Sequence, residues 1–114
     1  MVKVYGIPNC DTVKKARKWL DTQGVDYEFI DFKKSPPTEA LLKTWLKHWP
    51  WDELINKRGT TWRKLSDDIK DAMNPSLAIS TMMEQPSIIK RPVLIDGKQH
   101  LLGFKEADYQ AFFS

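Results

Sequence analysis

Apolar and polar residues recur along this chain at two periods, and the switches between them mark its elements. Val2-Lys3-Val4-Tyr5 alternates with period two and predicts a short opening strand. Val13, Ala16, Trp19 and Leu20 then recur at helical spacing, with Lys14, Lys15, Arg17 and Lys18 on the other face. This predicts a helix over 12–23, closed by Gly24 in the left-handed conformation that glycine tolerates. Asp26-Tyr27-Glu28-Phe29-Ile30-Asp31-Phe32 returns to strict alternation and reads as a second strand. Two strands joined by one helix and tight connections should be parallel, through a right-handed crossover.

From residue 38 the pattern stays helical. Thr38 is placed to cap a helix whose apolar stripe is Leu41, Leu42, Trp45 and Leu46, and Trp49-Pro50-Trp51 breaks it. A further short helix is expected over 52–57, ended by Arg58-Gly59-Thr60. Ser66 caps a helix carrying Ile69 and Met73. Asn74-Pro75 opens another with Leu77, Ile79, Met82 and Met83, proline standing where its missing N–H costs nothing. The tryptophans at 45, 49, 51 and 62 are read as core rather than as a ligand cage. Beyond this block, 90–95 reads as a strand opened through Pro92, Asp96-Gly97 as a tight hairpin turn, and 98–102 as the returning strand. After Gly103, a helix over 104–113 bears Ala107, Tyr109 and Phe112. The sum is one α/β domain over 1–114: β–α–β, a helical insertion at about 38–83, then β–β–α.

Composition narrows the chemistry. A chain of 114 residues can bury a modest core without staples. Its single cysteine excludes an internal disulfide, and two histidines leave little for a zinc site, so no metal is expected. No segment approaches the ~18 apolar residues of a membrane span. The net charge of +3 comes from basic residues interspersed with acids. The expectation is a soluble cytoplasmic protein without nucleic-acid or membrane partners.

The lone cysteine carries the sharpest clue. Cys10 falls between the first strand and the first helix, in Gly6-Ile7-Pro8-Asn9-Cys10-Asp11-Thr12. A thiol over the first helical turn meets unpaired N–H groups and the positive end of the helix dipole, which favour the thiolate. Asp11 would oppose that thiolate unless it caps the helix instead. His48 and His100 fit surface positions, and neither is read as a catalytic base.

The order of elements, with a cysteine after the first strand and Pro92 opening the third, resembles the thioredoxin fold. More closely, the chain resembles the arsenate reductase (ArsC) family, with its Spx-like and YffB-type branches. The likeness rests on Tyr5-Gly6-Ile7-Pro8-Asn9-Cys10, the helical insertion, Asn56-Lys57-Arg58-Gly59, Asn74-Pro75, Gln85-Pro86 and Lys90-Arg91-Pro92-Val93. It implies a mixed four-stranded sheet and a cis peptide bond before Pro92, with Arg91 beside Cys10. It also implies Cys10 as the nucleophile. Arg58, Arg91, Pro92, Asn9 and Lys14 form the implied substrate- or anion-binding set.

Two departures from the family pattern bear on the reaction. The third arginine of the arsenate-reducing members falls near Gly103 in this chain, where none is available, and Asn56 stands where their central arginine would be. The paired switch cysteines of Spx are also missing, since Val13 occupies the position three after Cys10. The reading that follows is a monothiol reductase. Cys10 attacks a disulfide or other oxidised small-molecule or protein substrate, and a small thiol, glutathione, resolves the mixed disulfide. The alternatives are an Spx-like module that binds a protein partner, RNA polymerase in the Spx resemblance, and arsenate reduction itself. No tightly bound cofactor is expected.

Overall fold

The strand that leads to Cys10 lies inside a mixed sheet, paired on both edges. The computed structural model describes residues 1–114. It runs β1 Val2–Gly6, α1 Asp11–Thr22, β2 Tyr27–Asp31, α2 Glu39–Trp45, α3 Trp51–Leu54, α4 Thr60–Arg63, α5 Asp67–Asp71 and α6 Pro75–Glu84. A 3₁₀ turn at Pro86–Ile88 precedes β3 Val93–Asp96, β4 Gln99–Leu102 and α7 Glu106–Phe113. The sheet order is β2-β1-β3-β4. β1 and β2 are parallel, with Gly6 opposite Asp31, while β3 is antiparallel to both β1 and β4. This is the thioredoxin-like arrangement that the resemblance implied, and the Arg91–Pro92 peptide bond is cis.

The chain divides into two compact units, Met1–Ser35 with Arg91–Ser114, and Pro36–Lys90. The first contains the whole sheet with α1 and α7. Alternation in β1 sends Val2 and Val4 to one face, where they meet Ala16 and Leu20 of α1, Leu94 of β3 and Tyr109 of α7. Aromatic rings close this core: Trp19 stands edge-on to Tyr109 at 5.6 Å, and Phe104 does the same at 4.7 Å. Burial raises the Tyr109 hydroxyl far above its usual range, and that hydroxyl donates to the Gly103 carbonyl at 3.4 Å.

The second unit is built from short helices with side-chain caps. Thr38, Ser66 and Asn74 each accept from the backbone N–H three residues on, of Leu41, Ile69 and Leu77. Its interior includes Leu42, Trp45, Leu54, Ile55, Ala78, Met82, Ile88 and Ile89. Ile55 and Ile89 form an isolated antiparallel bridge, flanked by hydrogen bonds from Asn56 to Ile88 and from Lys90 to Leu54, both 2.8 Å.

Several expected boundaries shift, each for a local reason. The helix expected over 52–57 stops at Leu54 because Ile55 turns extended to pair with Ile89. Gly59 starts α4 instead of only ending its predecessor. The last helix begins at Glu106, and Met73 lies beyond α5. In the hairpin Asp96 still pairs with Gln99, so the turn residues are Gly97 and Lys98. Gly97 has φ +62° and Lys98 a negative φ, the signs of a type II′ turn. Of the four tryptophans read as core, only Trp45 is fully buried; Trp49, Trp51 and Trp62 are half-buried. No helix is long and apolar enough to cross a membrane.

Candidate active site

β1 delivers its C-terminal end directly to the cysteine loop. At Gly6 a Cβ would come within 2.9 Å of Val13 Cγ2, closer than carbon atoms tolerate, so only glycine lets strand and helix approach this way. Ile7 is buried, Pro8 and Asn9 are exposed, and Cys10 follows half-buried. Cys10 occupies the N-cap of α1 with extended backbone (φ −129°, ψ 126°), and its carbonyl accepts from the Lys14 N–H at 2.9 Å. Asp11, weighed from the sequence as a cap, is instead the first helical residue and is exposed. The cap position belongs to the thiol.

Cys10 closes no side-chain cap hydrogen bond of the kind a serine or aspartate makes. Its electrostatic surroundings nonetheless favour the anion. Partial burial pushes the thiol up, and that is the largest single influence. Against it act the backbone N–H of Val13, the hydrogen bond and positive charge of Arg91, and the backbone N–H of Thr12. Together these outweigh burial, and the thiol titrates below its ordinary range. Arg91 and Cys10, eighty-one positions apart in the chain, meet at the sulfur.

The other candidate residues are placed as follows. Pro92 is buried, and its carbonyl accepts from the Gly103 N–H at 2.8 Å. Gly103 has φ +79°, a conformation that strains any residue with a side chain. Asn9 sits in the exposed turn beside the thiol. Lys14 contributes its backbone to the first helical turn while its side chain is exposed. The charge acting on the sulfur is that of Arg91.

Arg58 belongs to the helical unit. It is exposed, in a turn where its N–H donates to Asn56 Oδ1 at 3.2 Å and the Gly59 N–H donates to the Asn56 carbonyl at 3.1 Å. The neighbouring Lys57 ammonium lies 4.9 Å from the Trp51 ring and 5.6 Å from that of Trp62, a cation–π contact to two half-buried indoles.

Gly6 and Gly103 were missed as site-forming residues. The sequence shows a glycine before the loop and another after β4, but it reveals neither the Val13 contact at Gly6 nor the positive φ at Gly103.

Comparison with known proteins bears on this arrangement. A family model described as the ArsC family matches residues 5–112. The chain belongs to the ArsC family. Among solved structures it is similar to a protein named YFFB, at 42% identity and TM-score 0.96 over 100% of both chains. It is also similar to an arsenate reductase (ArsC) related protein from Brucella melitensis, at 46% identity and TM-score 0.80, covering 99% of this chain and 94% of that one. The global transcriptional regulator Spx of Streptococcus mutans is 29% identical over 98% of this chain and 82% of its own length. This ArsC-family chain thus has relatives named for reductases and relatives named for regulation.

Proposed function

We propose that the protein is a monothiol reductase with Cys10 as its nucleophile. The observation that carries this reading is the lowered Cys10 thiol, facing the Val13 and Thr12 amides and hydrogen-bonded by Arg91. The thiolate attacks one sulfur of a disulfide, forming the Cys10–S–S–R bond as the substrate S–S bond breaks. The second sulfur leaves as a thiolate and takes a proton from solvent. Glutathione then attacks the mixed disulfide, restoring the Cys10 thiolate and leaving as R–S–S–glutathione. No second cysteine competes for that step. Arg91 holds the thiolate, while Asn9 and Lys14 are assigned to the anionic groups of the substrate.

The test is the pH dependence of Cys10 alkylation, together with mass analysis after exposure to oxidised glutathione. The expected result is a midpoint below about 8.5, the value of an unperturbed thiol, and one glutathione added per chain, absent in Cys10→Ser. A midpoint at or above that value would sink the mechanism.

The likeness to Spx across nearly the whole chain supports a second reading, in which the fold presents a surface to a protein partner. Capture of one defined partner equally by wild type and Cys10→Ser would favour it. Arsenate reduction is the third reading and requires arsenate to protect Cys10 from alkylation. The lack of an arginine near Gly103, where the family resemblance implies one for arsenate reduction, weighs against it.

A further inference from the structure

Arg91 acts on Cys10 only while the start of β3 presents it in one direction, and a backbone bond that fixes this start comes from Gly103. Val93 pairs with Leu102 in the β3–β4 ladder. One step further out, the Gly103 N–H donates to the Pro92 carbonyl at 2.8 Å. A hydrogen-bonded antiparallel pair ordinarily exchanges two such bonds. Pro92 has no N–H, so this pair holds with one. Arg91 is the adjoining residue, half-buried, with its Nε fully covered.

Gly103 is itself buried, and its N–H and C=O belong to successive peptide groups. Glycine rotates more freely between two peptides than any other residue, so the aim of its N–H depends on what holds its other side. That side is held by Tyr109, whose hydroxyl donates to the Gly103 carbonyl at 3.4 Å. The Tyr109 ring is fully buried and packed against Phe104 at 4.7 Å, Trp19 at 5.6 Å and Phe113 at 6.3 Å. Its hydroxyl therefore stays in one place, and burial keeps it protonated wherever a thiol titrates. Phenylalanine would fill the same space without taking a polar group into the core. The hydroxyl thus has a use beyond packing.

We propose that Tyr109 is a positioning residue for the Cys10 thiol: its hydroxyl steadies Gly103, Gly103 steadies Pro92, and the start of β3 then holds the Arg91 guanidinium on the sulfur. The proposal rests on the reductase reading, in which that contact prepares Cys10 for attack. Tyr109 acts through backbone groups and takes no part in the reaction itself.

Tyr109→Phe removes the hydroxyl and keeps the ring. Expected is a rise in the midpoint of Cys10 alkylation by iodoacetamide. The rate at neutral pH should fall about two- to threefold, the fraction of one weak hydrogen bond that reaches the sulfur. Phe113→Leu loosens the packing around Tyr109 but leaves its hydroxyl, and should lower stability without moving the midpoint. In an Arg91→Ala background, adding Tyr109→Phe should change the midpoint no further, because the relay ends at that guanidinium. An unmoved midpoint in folded Tyr109→Phe, an equal rise in Phe113→Leu, or an undiminished further rise in the double variant overturns the proposal.

The reductase reading fails separately, by a wild-type midpoint at or above about 8.5. The positioning role is then read from the Arg91 Nε–H resonance, which burial protects from exchange. Its displacement in Tyr109→Phe but not in Phe113→Leu supports the proposal, and no displacement overturns it. Should Tyr109→Phe not fold, the Gly103 amide of the wild type decides. Coupled sites respond to each other reciprocally, so this amide should titrate with the thiol and lose most of that response in Arg91→Ala. An amide indifferent to the thiol, or one that responds as strongly without Arg91, overturns the proposal.

Discussion

The Arg91 guanidinium hydrogen-bonds the Cys10 sulfur and sets a full positive charge beside it, from the residue that leads into β3. β3 and β1 are adjacent antiparallel strands, so sheet pairing brings the two residues together. Replacing the guanidinium removes a hydrogen bond and a charge at once. For Arg91→Ala we expect the midpoint of Cys10 alkylation to rise. At neutral pH the rate should fall on the order of three- to tenfold, the effect of about 1 kcal/mol of charge-assisted hydrogen bonding in a partly exposed site. Arg91→Lys keeps the charge without the planar fork and should lie between the two. An alkylation profile unchanged in Arg91→Ala would separate the two residues functionally.

The same shift predicts a pH-dependent stability. The folded thiol titrates below the unfolded one, so the folded state releases the proton first as pH rises. The stabilisation is absent below the folded value, grows between the two, and is complete above the unfolded value of about 8.5. Urea unfolding under reducing conditions from pH 5.5 to 9.5 should therefore show wild type gaining stability relative to Cys10→Ser as pH rises. A difference that is flat, or that shrinks with pH, would contradict the lowered thiol.

Gly6→Ala should disturb stability and chemistry together. The new methyl would press on Val13, a buried β-branched side chain with little rotamer freedom, at 2.9 Å. We expect a loss of about 1–3 kcal/mol, the usual range for overpacking a close contact. The Val13 N–H also helps lower the thiol, so the alkylation midpoint should rise as the helix start is displaced. Gly24→Ala, where a Cβ meets nothing within 4 Å but φ is +70°, provides the comparison: strain without contact, and no change at the thiol.

In the helical unit, Asn74→Ala should cost about 1 kcal/mol through loss of the cap on α6. The cap bond is 2.8 Å long, and the helix it starts carries buried Ala78, Thr81 and Met82. Ser66→Ala removes a 3.2 Å cap from α5, which buries no residue, and should cost less. Equal losses would mean that helix burial adds nothing to the value of a cap.

What was legible in the sequence is what depends on neighbouring residues. Thr38, Ser66 and Asn74 were read as caps because a side chain and a backbone three residues apart decide the matter. β1, α1 and β2 followed from periodicity. The early end of α3 was not legible, because Ile55 is claimed by Ile89, far along the chain. The hairpin turn slipped by one residue because Asp-Gly and Gly-Lys turns share the same glycine, and only pairing with Gln99 fixes the register. The helical position of Arg17 says nothing about the Phe29 ring, whose centre lies 4.1 Å from its guanidinium. The approach of Arg91 to Cys10 could be inferred only through family resemblance, since no local pattern links residues so distant in sequence.

In the proposed reductase cycle, the thiol at the N-cap would also determine how readily the protein gives up a bound partner. In a mixed disulfide Cys10 carries no charge, and the attraction from the Val13 and Thr12 amides and Arg91 is forfeited until the sulfur departs as an anion. The same groups that sharpen Cys10 for attack therefore make it a good leaving group when an incoming thiol strikes the partner sulfur. In that proposed cycle, with no second cysteine to take over the bond, easy expulsion of Cys10 would return the protein to its starting state.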